Sequence, residues 1–232
     1  HPFLATIFEI GIEDEIPFII MELIQGLPLN RVAVGPLDWP AVVRTTLQIC
    51  SGLSCFHRKG LMHRDLKPSN IVLTCQQSLK LIDFDLCALT GTDMSTRRIG
   101  TVPWMSPEQI LRGLRDPIAE IFTVGVILYH LATGDLPFRG PSEATLTRIA
   151  ALDFPRPRQL VPSIPVAAEQ IIIKALAYRD ERYDALGSLM EALEESVTNV
   201  PIWDSSPWTY SETALGVRAP EDRPRAVTLT HL

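Results

Sequence analysis

The side chains most able to do chemistry lie in one short polar segment of the chain. A carboxylate, an ammonium group and an amide occur there close together, as Asp65, Lys67 and Asn70. A second carboxylate, Asp83, directly follows the β-rich run of residues 79–82. Carboxylate and amide oxygens are the hard donors that Mg²⁺ prefers, and an ammonium group neutralises nearby negative charge. The residue types therefore predict metal-assisted chemistry on an anionic substrate.

Phosphoryl transfer is the reaction that this set of groups suits. It needs an acceptor hydroxyl aligned with the phosphorus, metal ions that spread charge, and cations that neutralise the transferring group. Residues 63–70 match the catalytic-loop pattern H-R-D-L-x-x-x-N in full. In that pattern Asp65 accepts or orients the hydroxyl proton, and Lys67 reaches the γ-phosphate. Asn70 and Asp83 then supply oxygen ligands to Mg²⁺, with Mn²⁺ as an alternative ion.

Further motifs stand in the order and spacing of one known family. Residues 83–85 are Asp-Phe-Asp, and residues 100–108 (Gly-Thr-Val-Pro-Trp-Met-Ser-Pro-Glu) are similar to the end of an activation segment. Together with residues 63–70 they resemble the eukaryotic-type (Hanks-type) serine/threonine protein kinases, in a bacterial-like form. The resemblance implies an α+β, protein-kinase-like fold, mainly the helical C-lobe with a remnant of the β-rich N-lobe. It also implies ATP and Mg²⁺ as cofactors and the Ser and Thr hydroxyls of proteins as acceptors.

A second enzyme class shares part of this pattern. Small-molecule kinases of the aminoglycoside and choline type also carry H-x-D-x-x-x-x-N and a later Asp. Lys67 and residues 100–108 favour the protein kinases, because a protein substrate needs a docking platform that small-molecule kinases lack.

The resemblance places a nucleotide-binding hinge near the start of the chain. Residues 21–24 (Met-Glu-Leu-Ile) resemble that hinge, with Met21 as the gatekeeper. The backbone carbonyl of Glu22 and the amide of Ile24 would then bind the edge of the adenine. Val72 would pack beneath the base.

The resemblance also implies a platform for the protein substrate. Thr101 is expected to hydrogen-bond to Asp65 and Lys67, as in the serine/threonine branch. Glu108 is expected to pair with Arg182, and such a buried pair would lock the platform. The alternative for Arg182 is a surface charge, since acidic residues precede it directly.

Arg64, beside Asp65, predicts a regulatory switch. Its guanidinium can pair with a phosphate placed on the activation segment and order that segment through charge-assisted hydrogen bonds. We expect Ser95 and Thr96 to be the acceptors, with Thr90 and Thr92 as alternatives. An unmodified polar loop is the competing interpretation.

Several positions depart from the family pattern. No glycine-rich loop, strand lysine or helix glutamate precedes residues 1–2, which resemble the segment just after that helix, and the chain begins with His rather than Met. Asp85 replaces the Gly of the metal motif, Glu120 replaces an Asp that braces the catalytic loop, and Ile118 replaces an Arg. Two hypotheses follow: a fragment of an active kinase that lost about 80 residues, an estimate from domain size, or a pseudokinase that serves as a binding scaffold.

The predicted elements place these residues as the family requires. Residues 5–11 and 17–23 predict a β-hairpin, and Asp38 caps a predicted helix that starts at residue 39 and runs to Gly60. Short strands are predicted at residues 71–74 and 79–82. A buried central helix at 118–131 and helices at 142–152, 166–176 and 185–197 follow.

The predicted domain boundary lies near residue 197. Residues 1–197 form the kinase domain, with the N-lobe remnant and hinge at 1–24 and the C-lobe at 25–197. Residues 198–232 contain several prolines and predict a linker or tail. Three aromatic residues offer the alternative that the tail docks on the domain, namely Trp203, Trp208 and Tyr210.

Composition excludes some partners and locations. Lys and Arg number 21 against 27 Asp and Glu, so no global basic field attracts nucleic acid. The longest apolar run, residues 121–131, is too short to span a bilayer. The partners that the resemblance implies are proteins with Ser or Thr acceptors, with autophosphorylation of the chain itself as an option.

The cysteines indicate a reducing, cytoplasmic environment. Four occur, with no C-x-x-C pair and no regular spacing, which argues against a disulfide framework or a structural zinc site. Cys50, Cys55, His57 and His63 crowd together, but Cys50, Leu53 and His57 fall at helical spacing, which favours ordinary packing over metal ligation.

Overall fold

The computed structural model describes residues 1–76, 78–84, 87–89 and 101–197, and these residues form an α+β fold dominated by helices. The described strands are β1 (Ile7–Glu13), β2 (Ile16–Met21), β3 (Gly26–Pro28), β4 (Leu61–Met62), β5 (Ile71–Thr74), β6 (Leu79–Leu81) and β7 (Ala88–Leu89). The described α-helices are α1 (Leu29–Val32), α2 (Trp39–His57), α3 (Pro107–Arg112), α4 (Pro117–Thr133), α5 (Ser142–Ala151), α6 (Pro157–Leu160), α7 (Val166–Ala175) and α8 (Leu186–Glu195). Short 3₁₀ turns occupy Pro68–Asn70, Val102–Trp104 and Arg179–Glu181.

Helix α4 forms the centre of the hydrophobic core. Its residues are apolar nearly all round and almost all buried, because α2 and α7 pack against it. The Asp116 carboxylate caps its first turn by accepting the Ala119 N–H at 3.0 Å. Gly134 ends the helix with a φ of 73°, a left-handed conformation that glycine adopts without steric cost. The predicted central helix is therefore confirmed.

Helix α2 carries the chain toward the polar segment at residues 63–70. Asp38 accepts the Ala41 N–H at 2.8 Å, and Pro40 lies in the first turn, where its missing N–H is not needed. The helix ends at His57, and Gly60 then adopts a φ of 67°. The cap agrees with the prediction, and the helix ends at His57, three residues before Gly60.

The described strands form three small antiparallel sheets. β1 pairs with β2, β5 lies between β3 and β6, and β4 pairs with β7. The β1–β2 turn is shorter than predicted: Glu13 belongs to β1, and only Asp14 and Glu15 form the turn, with φ values of 50° and 65°. Positive φ at both positions is the geometry of a tight two-residue hairpin turn.

None of the described helices is long and apolar enough to cross a membrane.

Gly125 of α4 is expected to tolerate a side chain poorly. A Cβ there would lie 2.9 Å from the Cβ of Ala175 and 3.0 Å from its carbonyl carbon, where α4 meets α7. Overpacking of this kind costs about 1–3 kcal/mol. We therefore expect Gly125→Ala to lower the urea midpoint of unfolding. Gly187→Ala is the control: a Cβ in α8 would meet nothing within 4 Å, so stability should stay equal or rise. Equal midpoints for the two variants would contradict this packing.

Candidate active site

Asp65 lies at the centre of a polar cluster on the loop between β4 and the 3₁₀ turn Pro68–Asn70. Its Oδ2 atom lies 2.5 Å from Lys67 Nζ, and its Oδ1 atom accepts the Thr101 hydroxyl at 3.1 Å. Lys67 Nζ also donates to Thr101 Oγ1 at 3.2 Å. Both hydrogen bonds expected of Thr101 are therefore present. These contacts hold the orientation of the Asp65 carboxylate. Its side chain is 11% exposed, so solvent still reaches it.

Asn70 is oriented by the same loop. Its Nδ2 donates to the Asp65 carbonyl at 2.9 Å and to Asp65 Oδ2 at 3.3 Å. Because the amide nitrogen is committed to Asp65, the amide oxygen of the buried Asn70 is turned to the other side, where Ser69 Oγ donates to it at 3.3 Å. The amide oxygen is the atom that could bind a cation.

The β5–β6 hairpin brings Ile82, the residue before Asp83, against Asn70. The Ile82 N–H donates to the Asn70 carbonyl at 3.0 Å, so Asp83 follows one residue after this contact. Asp83 adopts a φ of 64°, a conformation that is uncommon outside glycine and costs about 1–3 kcal/mol. Among the described residues no group of three His, Cys, Asp or Glu side chains could hold a metal. An amide oxygen and a carboxylate, the groups that Asn70 and Asp83 carry, are ligand types that suit Mg²⁺, which completes its ligands with phosphate oxygens and water.

The backbone of the loop is braced from α4. Arg64 has a φ of 67°, and its N–H donates to Glu120 Oε1 at 2.6 Å. The other carboxylate oxygen, Oε2, lies 2.8 Å from His57 Nε2 at the end of α2. Glu120 is 4% exposed, so both contacts are shielded from water. The extra methylene of Glu relative to Asp leaves the brace in place.

The Arg64 side chain lies in a mixed electrostatic environment. Burial lowers the pKa of its guanidinium, Arg115 lowers it further, and Glu120 and Cys87 act in the opposite direction. The group remains a cation near neutral pH, because an arginine pKa starts far above 7. Its predicted phosphate acceptors, Ser95 and Thr96, lie outside the described residues, as do Thr90, Thr92 and Asp85.

Aromatic rings pack behind the loop. Phe84 lies 5.2 Å from Phe56 and 5.6 Å from His63, centroid to centroid. His63 Nε2 lies 3.1 Å from the Ile82 carbonyl oxygen, which links the loop to the segment that carries Asp83. The buried His63 and Cys50 serve packing. Burial raises the pKa of the Cys50 thiol to about 12, so this thiol stays neutral near pH 7.

The expected platform pair is deeply buried. Arg182 donates from both terminal nitrogens to Glu108, at 2.6 and 3.1 Å, and its side chain is 0% exposed. It also donates to the carbonyls of Ala177 and Ile118, which satisfies its remaining N–H groups. The surface-charge alternative for Arg182 is therefore wrong. Ile118 contributes through its backbone, which no residue-type pattern signals.

The segment before Glu108 is fixed to α4. Thr123 Oγ1 donates to the Trp104 carbonyl at 2.8 Å, and the Trp104 ring meets His130 edge-on at 6.3 Å. Burial, together with Arg139, lowers the pKa of His130, so its imidazole is neutral near pH 7. Ser106 then caps α3 with Gln109 in a reciprocal capping box.

The predicted hinge lies between β2 and β3. Met21 ends β2, and the Glu22 N–H donates to the Thr6 carbonyl at 2.9 Å. Within the described residues, neither the Glu22 carbonyl oxygen nor the Ile24 N–H enters a backbone hydrogen bond. Val72 is 7% exposed on β5, opposite Pro28 of β3.

The Glu108–Arg182 pair generates a stability prediction. Glu108→Gln leaves the Arg182 charge buried without a full partner, which should cost about 3–5 kcal/mol. We expect a lower urea midpoint with an unchanged slope. Arg179→Met is the matched control, because its pair with Asp116 is partly exposed and should be worth about 0–1 kcal/mol. A Glu108→Gln chain as stable as the control would contradict the account.

The sequence of this chain is similar to those of known protein kinases. Residues 1–191 match the family model described as protein kinase domain. The serine/threonine-protein kinase PknL of Mycobacterium tuberculosis is 34% identical over 205 residues, which cover 84% of this chain and 51% of PknL. PrkC of Bacillus subtilis is 33% identical over 183 residues, 76% of this chain and 28% of PrkC. Pkn1 of Myxococcus xanthus is 34% identical over 206 residues, 84% of this chain and 29% of Pkn1.

The chain spans about half the length of PknL and less of the other two relatives. The family match covers the catalytic-loop cluster, the Asp83 segment and the buried platform pair together. The α+β architecture described above agrees with that match. The chain belongs to the protein kinase family, and bacterial serine/threonine protein kinases are among its relatives.

Proposed function

We propose that this chain transfers the γ-phosphate of ATP to Ser and Thr hydroxyls of proteins. The observation that carries the proposal is the Asp65 carboxylate, held on one oxygen by Lys67 and on the other by Thr101. A carboxylate fixed in this way can accept a hydrogen bond from an incoming hydroxyl in one defined direction. The names of the bacterial relatives support the serine/threonine class.

The groups around Asp65 divide the chemical work. The carboxylate aligns the acceptor hydroxyl and takes its proton as the new oxygen–phosphorus bond forms, while the bond from the γ-phosphorus to the β–γ bridging oxygen breaks and ADP leaves. Lys67 Nζ, 2.5 Å from that carboxylate, places a positive charge where the transferring phosphoryl group gathers negative charge. The Thr101 hydroxyl contacts both and keeps them together.

The neighbouring segments carry the residues that we propose to bind the nucleotide and the metal. Asn70 and Asp83 would hold Mg²⁺, which when bound neutralises charge on the phosphate oxygens. The Glu22 carbonyl and the Ile24 N–H would bind the adenine edge, because neither enters a backbone hydrogen bond within the described residues. Met21 would border the base, and Val72 would lie beneath it.

A protein segment is the substrate that the platform suits. Thr101 connects the platform directly to Asp65, and the buried Glu108–Arg182 pair fixes its far end. The chain itself is one further substrate: Arg64 would bind a phosphate on Ser95 or Thr96 and so order the activation segment. A cytoplasmic location is part of the proposal, supported by four cysteines that are not joined in disulfides.

The competing hypothesis is a kinase-like scaffold without transfer activity. One of its supports was Glu120 in place of the family's Asp. Because Glu120 reaches both Arg64 and His57, that substitution does not favour the scaffold.

Asp65→Asn tests the proposed reaction. The amide cannot take the hydroxyl proton, so labelling of myelin basic protein from γ-labelled ATP should fall by about a hundredfold or more. Asp153→Asn, an exposed position after α5, is the matched control and should label at the wild-type rate. Mass spectrometry of the same samples reports phosphate on Ser95 and Thr96, which should vanish with Asp65→Asn. Equal labelling by both variants would refute Asp65 as the catalytic carboxylate.

A further inference from the structure

Lys80 joins two parts of the proposed nucleotide site. It lies on β6, three residues before Asp83, and its Nζ lies 2.5 Å from Glu22 Oε1 and 3.3 Å from the Leu4 carbonyl. The two side chains are 21% and 26% exposed, so the pair is largely shielded. An exposed ion pair contributes little, whereas one with further hydrogen bonds and partial burial can hold geometry.

The Glu22 carboxylate also ties the hinge to the first residues of the chain. Its Oε1 accepts the Thr6 N–H at 2.9 Å, and the Glu22 N–H donates to the Thr6 carbonyl at 2.9 Å. Burial opposes ionisation of Glu22, but the bonds from Lys80 and Thr6 outweigh it, so the pKa of Glu22 is lowered. The carboxylate is therefore charged, and its contacts intact, at neutral pH.

The same first residues pair with β6 through the backbone. The Ala5 N–H donates to the Leu81 carbonyl at 2.9 Å, and the Leu81 N–H donates to the Phe3 carbonyl at 2.9 Å. Residues 3–6 therefore lie between the hinge on one side and the strand that leads to Asp83 on the other. From β6, Lys80 reaches across this segment: its Nζ contacts the Leu4 carbonyl within the segment and Glu22 Oε1 on the far side.

We infer that Lys80 and Glu22 form a clamp that positions the hinge, residues 21–24, relative to the strand that delivers Asp83. Lys80 is a positioning residue: it touches neither the adenine-binding backbone nor the metal ligands, but it connects the segments that carry them. The consequence for nucleotide binding rests on the proposed function, because it takes the Glu22 carbonyl and the Ile24 N–H as the adenine contacts.

Adenosine binding by the full chain tests the clamp. Lys80→Met and Glu22→Gln should each weaken adenosine binding about fivefold, the size expected for a partly buried ion pair. The double variant should be no weaker than either single one, because both remove the same interaction. Lys80→Arg should restore the affinity, and a raised KM for ATP with an unchanged kcat should accompany Lys80→Met. Lys59→Met, an exposed lysine, is the control.

Each result points to one conclusion. If the wild type binds adenosine and Lys80→Met behaves like Lys59→Met, the clamp is refuted and the proposed function stands. If the wild type binds no adenosine, the proposed function fails, and amide hydrogen exchange decides the clamp. Faster exchange at Thr6 and Glu22 in Lys80→Met than in Lys59→Met supports it, and equal exchange refutes it.

Discussion

The catalytic loop depends on the two contacts that the buried Glu120 carboxylate makes. The carboxylate accepts the N–H of Arg64 at 2.6 Å and lies 2.8 Å from His57, while almost fully buried. Arg64 occupies a left-handed backbone conformation that disfavours ordinary residues. A charge-assisted hydrogen bond to the N–H of that residue offsets the strain and fixes the direction in which Asp65 leaves the turn.

Helix α4 makes this brace rigid and extends it to the platform. From one buried helix, Glu120 holds the loop, Thr123 holds the Trp104 carbonyl, and the Ile118 carbonyl accepts from Arg182. Because α4 is packed on α2 and α7, none of these contacts can shift alone. The packing of the hydrophobic core thus sets the distance between the proposed substrate platform and Asp65.

Much of this architecture could be predicted from the sequence. The catalytic loop and the long helices follow from local patterns, since motif spacing, an Asp N-cap and a 3.6-residue apolar period act over short distances. The predicted strands at residues 5–11 and 17–23 leave too long a connection, because backbone φ rather than residue type decides where a tight hairpin turns, here at Asp14 and Glu15. The sequence alone could not decide whether Glu120, one methylene longer than the family's Asp, still braces the loop, because the reach that the side chain needs depends on how the helices pack.

Contacts between distant parts of the chain could not be predicted in this way. The bond of His57 to Glu120 spans 63 positions and that of Lys80 to Glu22 spans 58. Neither His57 nor Lys80 belongs to a functional motif. Each becomes informative only when packing brings its partner near. The Glu108–Arg182 pair was accessible solely through family resemblance, because its surroundings in the sequence suggested an exposed charge.

Amide hydrogen exchange at Arg64 tests the central claim that Glu120 holds the loop. In Glu120→Ala the Arg64 N–H loses a buried, charge-assisted bond worth about 1.5–3 kcal/mol, so its exchange should accelerate about tenfold or more relative to wild type. Glu191→Ala, at an exposed position of α8, should leave that rate unchanged. An Arg64 amide that exchanges equally slowly in both variants would contradict the account.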